Sequence, residues 1–181
     1  AEVVATIEEP HTAAIAGWGV WAERYWYVVY EHLAGDTLDV VLQREGRLEL
    51  DRVLRLARQM LASLEAAHDN GVVHGNLEPA KISVAEGDGE SEQVRLLDYG
   101  MADPMRIDDA GRVEELGETR VVSGTARYLA PEQIYGRALS PATDIYGLGL
   151  VLWELLTGRP VVDRDEPAAV VARQIDPEPF G

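Results

Sequence analysis

Apolar positions fall into short clusters along the chain, and their spacing changes from one cluster to the next. Val3, Val4 and Ile7 recur at helical spacing, which predicts a helix within Ala1 to Glu9, ended by Pro10. Two runs rich in aromatic and β-branched residues, Ala13 to Val20 and Tyr25 to Tyr30, predict strands joined by a hairpin at Ala22-Glu23-Arg24. Ala34-Gly35-Asp36 reads as a turn; Thr37 then caps a short helix through Gln43, closed by Gly46. The clearest periodicity runs from Leu50 to Asn70. There Val53, Leu54, Leu56, Ala57, Met60, Leu61, Leu64 and Ala67 make an apolar face wide enough to meet more than one neighbour. Asn70-Gly71 stops this helix in the left-handed conformation those residues tolerate.

Brief strands are expected at Val72-Val73, Ile82 to Val84 and Val94 to Leu97, with Ala85 to Gln93 as an exposed hairpin loop between the last two. Met101 to Thr125 has little periodicity and many charges; a loop of that length inside a compact domain is functional or mobile. Asp144 to Thr157 is nearly all apolar, which predicts a helix buried on every side, ended at Gly158-Arg159-Pro160. Pro167 starts one more short helix through Gln174. No internal repeat is visible.

Length and charge narrow the function classes. A chain of 181 residues suits one domain with a real core. Its formal net charge of −16 repels nucleic-acid phosphate and anionic lipid, so both are poor partners. The same charge suits basic partner proteins, although an acidic proteome or a saline habitat explains it equally well. Cys is absent, which excludes disulfides and Cys-based zinc sites, and the four His are too scattered for a metal motif. No apolar run reaches the roughly 18 residues of a membrane span, and no signal peptide opens the chain; a cytoplasmic location is expected. Of the 16 basic residues every one is Arg except Lys81.

Four segments carry chemistry when taken in order: Val72 to Val84 (VVHGNLEPAKISV), Leu96 to Asp103 (LLDYGMAD), Ser123 to Ile134 (SGTARYLAPEQI) and Asp144 to Pro160 (DIYGLGLVLWELLTGRP). Together they resemble the large lobe of eukaryotic-type protein kinases, in the style of bacterial Ser/Thr kinases. The resemblance covers nearly the whole chain. It implies an α+β, kinase-like fold with a mainly helical large lobe over residues 31–181 and a small-lobe remnant over residues 1–30. The family continues beyond Gly181, and its Gly-rich phosphate loop and phosphate-pairing Lys have no counterpart here, so the chain reads as a fragment or a very reduced member.

The resemblance also assigns positions. The family's catalytic loop, His-Arg-Asp-Leu-Lys-Pro-x-Asn, stands here as His74-Gly75-Asn76-Leu77-Glu78-Pro79-Ala80-Lys81. The scaffold residues His74, Leu77 and Pro79 remain. Asn76 replaces the Asp that accepts or orients the substrate proton, a loss of about 10²- to 10⁴-fold for a positioned base. Glu78 reverses the charge of the Lys that steadies the phosphoryl group. Lys81 puts a cation where an Asn holds the second magnesium. Gly75 replaces the Arg that receives an activation-loop phosphate.

Asp98 matches the magnesium ligand of the Asp-Phe-Gly motif, and Tyr99 fills the Phe position. Lys81 is expected close to Asp98, where its ammonium would take the metal's electrostatic role. Glu31 and Leu33 fall on the hinge that holds adenine, with Tyr30 as gatekeeper, and Ser83 makes a polar floor beneath the ring. Glu132 belongs to the Ala-Pro-Glu segment and lacks its usual Arg partner. Asp144 is expected to hold the catalytic-loop backbone. Thr119, Ser123 and Thr125 are activation-segment hydroxyls open to phosphorylation by another kinase.

Three readings follow. The first is a pseudokinase: a regulatory or scaffolding domain that binds proteins, such as an active kinase or a phosphopeptide-binding domain. The second is an ATP- and magnesium-dependent Ser/Thr kinase whose nucleotide-binding small lobe lies outside this chain. The third is a truncated remnant without a function of its own.

Overall fold

The computed structural model describes residues 4–22, 25–87, 91–100, 106–107, 113–114, 125–162 and Gln174. Of the first cluster residues 4–9 are described, and they form a single 3-10 turn, Val4–Thr6, and no longer helix; Val4 is its sole buried residue. Three apolar residues before a proline fix too few dihedrals to propagate a helix.

A hairpin follows, β1 (Ile15–Trp21) antiparallel to β2 (Tyr25–Tyr30), with Trp18 facing Val28 and Trp21 facing Tyr25. Its aromatic residues are largely exposed: Trp18, Trp21, Tyr25 and Tyr27 all remain open to solvent. The hairpin reaches the rest of the fold through Tyr30 and through the segment before it. There the Ala13 N–H donates to Leu96 O at 2.9 Å and the Leu96 N–H to His11 O at 2.8 Å.

The larger layer begins with β3 (Asp36–Thr37), which leads into α1 (Leu38–Glu45). The helix runs two residues beyond Gln43. Thr37 stands at its N-cap, but its hydroxyl bonds the Asp39 side chain rather than a backbone N–H. Gly35 is required just upstream. Its φ of +86° lies in the left-handed region, and a Cβ there would come within 2.1 Å of the Val84 carbonyl oxygen.

α2 (Leu50–Asp69) is the central rod. Val53, Leu56, Ala57, Met60, Ser63, Leu64 and Ala67 are buried, whereas Leu54 and Leu61 are exposed, so the buried stripe is narrower than its apolar residues suggest. Each large side chain removed from water here contributes about 1.5–3 kcal/mol. The helix ends at Asn70 with φ −92°, outside the left-handed region; Gly71 alone adopts it.

Residues 72–78 are irregular, so the strand expected at Val72-Val73 does not form. A 3-10 turn, Pro79–Lys81, feeds β4 (Ile82–Glu86), which pairs antiparallel with β5 (Glu92–Leu96) and with β3. These strands extend into the loop foreseen between them, because Ala85↔Gln93 and Glu86↔Glu92 pair as well. α2 lies across β5, clamped by Arg52, whose Nε and Nη2 donate to Glu92 at 2.8 and 2.6 Å.

Within the long charged segment, β6 (Arg106–Ile107) pairs with β7 (Val113–Glu114). Thr119, Ser123 and most of Met101 to Thr125 lie outside the described residues, as does the short helix expected at Pro167. Beyond it, α3 (Pro131–Ile134) leads to α4 (Pro141–Thr157), which packs on α2 through Leu148, Val151 and Leu155. The expectation of burial on every side fails for α4. Ile145, Trp153 and Leu156 are 51%, 43% and 38% exposed, since no described element lies over that side. An apolar residue is under no obligation to be covered. Among the described residues no helix is long and apolar enough to cross a membrane.

Candidate functional site

The loop between α2 and β4 is built around one buried carboxylate. Asp144, in the first turn of α4, is 1% exposed. Its Oδ2 receives the His74 N–H and its Oδ1 the Gly75 N–H, each at 2.8 Å. His68 Nε2 lies 2.7 Å from the same Oδ2. These charge-assisted bonds tie α2, the loop and α4 together. Gly75 has φ +72°, which a glycine adopts without strain, and its carbonyl receives the Gln133 side-chain amide at 2.6 Å. Gln133 also accepts the Ala130 N–H at 3.0 Å, so it joins the start of α3 to the loop. A Gln three residues into a helix was the available sequence signal for it.

His74 is wholly buried, and its ring stacks at 4.6 Å, tilted 52°, on Tyr99. Its Nδ1 accepts the Asn76 N–H at 3.2 Å. Burial pushes its pKa down to about 4, so the imidazole is neutral near pH 7, even though Asp144 favours the charged form.

Tyr99 enters the core as an aromatic, but its hydroxyl is not idle. It lies 2.7 Å from Ser63 Oγ, which is itself 2.7 Å from Thr12 Oγ1. All three are buried. This hydroxyl relay joins the segment before β1, α2 and the turn after β5. Single hydroxyls carry no periodic signal, and nothing in the sequence pairs Ser63 with Tyr99.

Lys81 and Asp98 meet because of strand register. Ile82 pairs with Leu96 at the end of the β4–β5 ladder, and the Leu97 N–H donates to Lys81 O at 2.9 Å. The next residues outward are therefore neighbours, and the Lys81 ammonium donates to Asp98 Oδ2. Both side chains are about a quarter exposed, at 24% and 22%. Burial alone would raise the Asp98 pKa, but the hydrogen bond and charge of Lys81 outweigh it and hold the carboxyl below its usual range. Asp98 has φ +63°, uncommon for a residue with a Cβ, and its N–H is taken by the Tyr30 hydroxyl at 3.1 Å. Burial, then the adjacent carboxylate, raises the Tyr30 pKa far above the usual phenol value.

Glu78 opens onto a cleft of about 500 Å³ between α1, the loop and α4. Asp39 and Glu154 also line it, with Arg127 and Tyr128 from the 3-10 turn Thr125–Tyr128. The Tyr128 hydroxyl donates to Glu154. Burial raises the pKa of both groups, and Glu78 adds to the rise at Tyr128. Three carboxylates, Asp39, Glu78 and Glu154, and one guanidinium, Arg127, thus line the cleft.

The remaining predicted positions scatter around this centre. Ser83 is buried on β4, and its hydroxyl donates to Ala34 O at 3.4 Å. Glu31 continues the hairpin: its N–H donates to Ala14 O at 2.9 Å and its carboxylate accepts the Ala14 N–H at 3.1 Å. Leu33 is half-buried. Glu132, half-buried, accepts the Thr143 hydroxyl at 2.7 Å. Thr125 opens the 3-10 turn, and its side chain lies outside the described residues. Gln174, expected only as the end of a short helix, is buried; it accepts the Tyr146 hydroxyl and donates to Arg127 O, both at 2.7 Å.

Comparison with known proteins agrees with this architecture. Residues 2–178 match the protein kinase domain family. Serine/threonine-protein kinase pkn3 of Myxococcus xanthus is 30% identical over 179 residues, 99% of this chain and 32% of the relative. Serine/threonine-protein kinase PknB of Mycobacterium tuberculosis is 33% identical over 154 residues, 85% of this chain and 23% of the relative. A probable serine/threonine-protein kinase of Clostridium acetobutylicum is 34% identical over 149 residues, 82% of this chain and 21% of the relative. The chain thus spans between a fifth and a third of the length of these relatives. The crystal structure of the Mycobacterium tuberculosis PknI kinase domain, a Cys-to-Ala variant, superposes with a TM-score of 0.70 at 22% identity, covering 90% of this chain and 56% of that one. The chain belongs to the protein kinase domain family, among relatives that are bacterial Ser/Thr kinases.

Proposed function

We propose that this chain is a pseudokinase: a kinase-like domain that has lost phosphoryl transfer and acts by binding other proteins. One observation carries the reading. At Glu78, where the family's chemistry places a cation on the transferring phosphoryl group, a carboxylate faces a cleft lined by two more carboxylates, Asp39 and Glu154, and by one cation, Arg127. Phosphoryl transfer is catalysed by positioning and by positive charge placed around the phosphate oxygens. An anion in that position raises the barrier, and Asn76, an amide, supplies no base to offset it.

Meanwhile the scaffold is intact: Asp144 holds the loop, and the His74–Tyr99 stack fills the interior. A domain that keeps its shape without its chemistry presents surfaces to protein partners. A signalling role of this kind suits the cytoplasm. Thr119, Ser123 and Thr125 would be its sites of modification by an active kinase, and the division into residues 1–30 and 31–181 would mark the small-lobe remnant and the large lobe.

A second reading, an active Ser/Thr kinase with ATP bound by a small lobe outside this chain, draws support from the relatives' names and from their greater length. In that reading Glu31, Leu33 and Ser83 would lie against the nucleotide. A transfer assay with radiolabelled ATP and the full-length parent protein separates the two. Label at background supports the pseudokinase; label that disappears in Asp98→Asn supports the active enzyme.

A further inference from the structure

We propose that the Asp98 position excludes a divalent cation, because Lys81 already occupies it as a covalently tethered positive charge. The proposal deepens the pseudokinase reading by describing the same loop, and it rests on that reading only for the role assigned to the position.

Magnesium is the ion that the family's chemistry would bring here, so the residues present must be tested for fit. Mg²⁺ demands near-octahedral oxygen coordination and dehydrates reluctantly. Asp98 offers one carboxylate, and its Oδ2 already accepts the Lys81 ammonium. The neighbouring position that would complete a metal pair is Lys81 itself, which has no lone pair to give when charged. The residues do not fit the ion.

The arrangement is also hard to undo. Lys81 is fixed at both backbone groups: its N–H donates to Glu78 O and its carbonyl accepts the Leu97 N–H, each at 2.9 Å. The β4–β5 register sets the two side chains side by side. On the other partner, the Tyr30 hydroxyl holds the Asp98 N–H. A divalent ion would have to displace a tethered cation whose effective concentration is set by the fold. It would also meet that cation's repulsion.

The test uses manganese, whose electron paramagnetic resonance signal reports free ion directly, together with thermal unfolding in added magnesium. The wild-type chain is expected to show no saturable manganese binding in the sub-millimolar range and no rise in Tm with magnesium. Lys81→Asn supplies an oxygen ligand in place of the ammonium and is expected to gain manganese binding, which Asp98→Asn in the same chain then removes. Sub-millimolar binding by the wild type that is lost in a folded Asp98→Asn protein would overturn the proposal, and so would a rise in the wild type's Tm with magnesium, a measurement that needs no variant. So would a folded Lys81→Asn protein that gains no binding. Either failure leaves the pseudokinase reading to the transfer assay, which depends on Asn76 and Glu78 as well.

Discussion

Asp144 holds His74 by the backbone: a carboxylate at the start of α4 accepts the His74 N–H at 2.8 Å from 70 residues away in sequence. The neighbouring Gly75 N–H takes the other oxygen. The loop's shape therefore depends on a distant helix and on its own His74, not on its residues 76, 78 and 81, which is how it keeps its conformation while its chemical residues differ. Asp144→Asn presents an amide to donors that need an acceptor. It is expected to cost about 1.5–3 kcal/mol, the range for hydrogen bonds to a charged group. Urea denaturation followed by circular dichroism measures it; a loss well below 1 kcal/mol, on the order of a surface substitution, contradicts the assignment.

His74 makes stability pH-dependent. Its ordinary pKa of 6.5 falls to about 4 in the fold. Between those values the unfolded chain binds the proton and the folded chain does not, so stability rises with pH across that window. It is fully present above pH 6.5 and is lost as pH falls toward 4. The shift corresponds to about 3 kcal/mol at most, with the upper half of the window least confused by carboxylates. A flat urea midpoint from pH 7 to 5, or an unchanged slope in His74→Phe, contradicts this account.

The Thr12–Ser63–Tyr99 relay predicts a cost for a substitution that looks conservative. Tyr99→Phe restores the family's aromatic but removes one buried hydroxyl, leaving Ser63 bonded to Thr12. The expected loss is about 1 kcal/mol, that of one net hydrogen bond. A variant as stable as the wild type, or more so, shows that the hydroxyl merely fills space.

Gly35 is the position where a single methyl group should be worst tolerated. Gly35→Ala combines φ +86° with a Cβ only 2.1 Å from the Val84 carbonyl. Left-handed strain alone costs roughly 1–2 kcal/mol, and the collision must also move β3 away from β4. A fall in Tm larger than that of Gly17→Ala, where a Cβ meets nothing within 4 Å, is expected.

Much of this fold is legible in the amino-acid order. α2 ends within a residue of its expected stop because twenty residues of one periodicity are a strong signal. The order of the motifs alone places the loop, Asp98 and Asp144. Other features are not readable that way. The exposure of Leu54, Leu61, Ile145 and Trp153 depends on which neighbours arrive, and an apolar side chain carries no mark of whether it will be met. Thr37 donates its hydroxyl to the Asp39 carboxylate instead of accepting a backbone N–H at the helix terminus, a choice between two partners that the sequence does not decide. The gathering of Asp39, Glu78 and Glu154 around one cleft draws on α1, the loop and α4 together, and no one of the three segments announces it.

Whether this loop transfers phosphate is tested most directly by reversing it. The rate of label transfer from radioactive ATP to a protein acceptor should be measured for the full-length parent protein and for its Asn76→Asp/Glu78→Lys/Lys81→Asn variant. With the wild type at the no-enzyme background, restoring the base, the cation and the metal ligand is expected to raise the rate by about 10²-fold or more. Wild-type transfer well above background, unchanged or lowered by the triple substitution, would contradict the account.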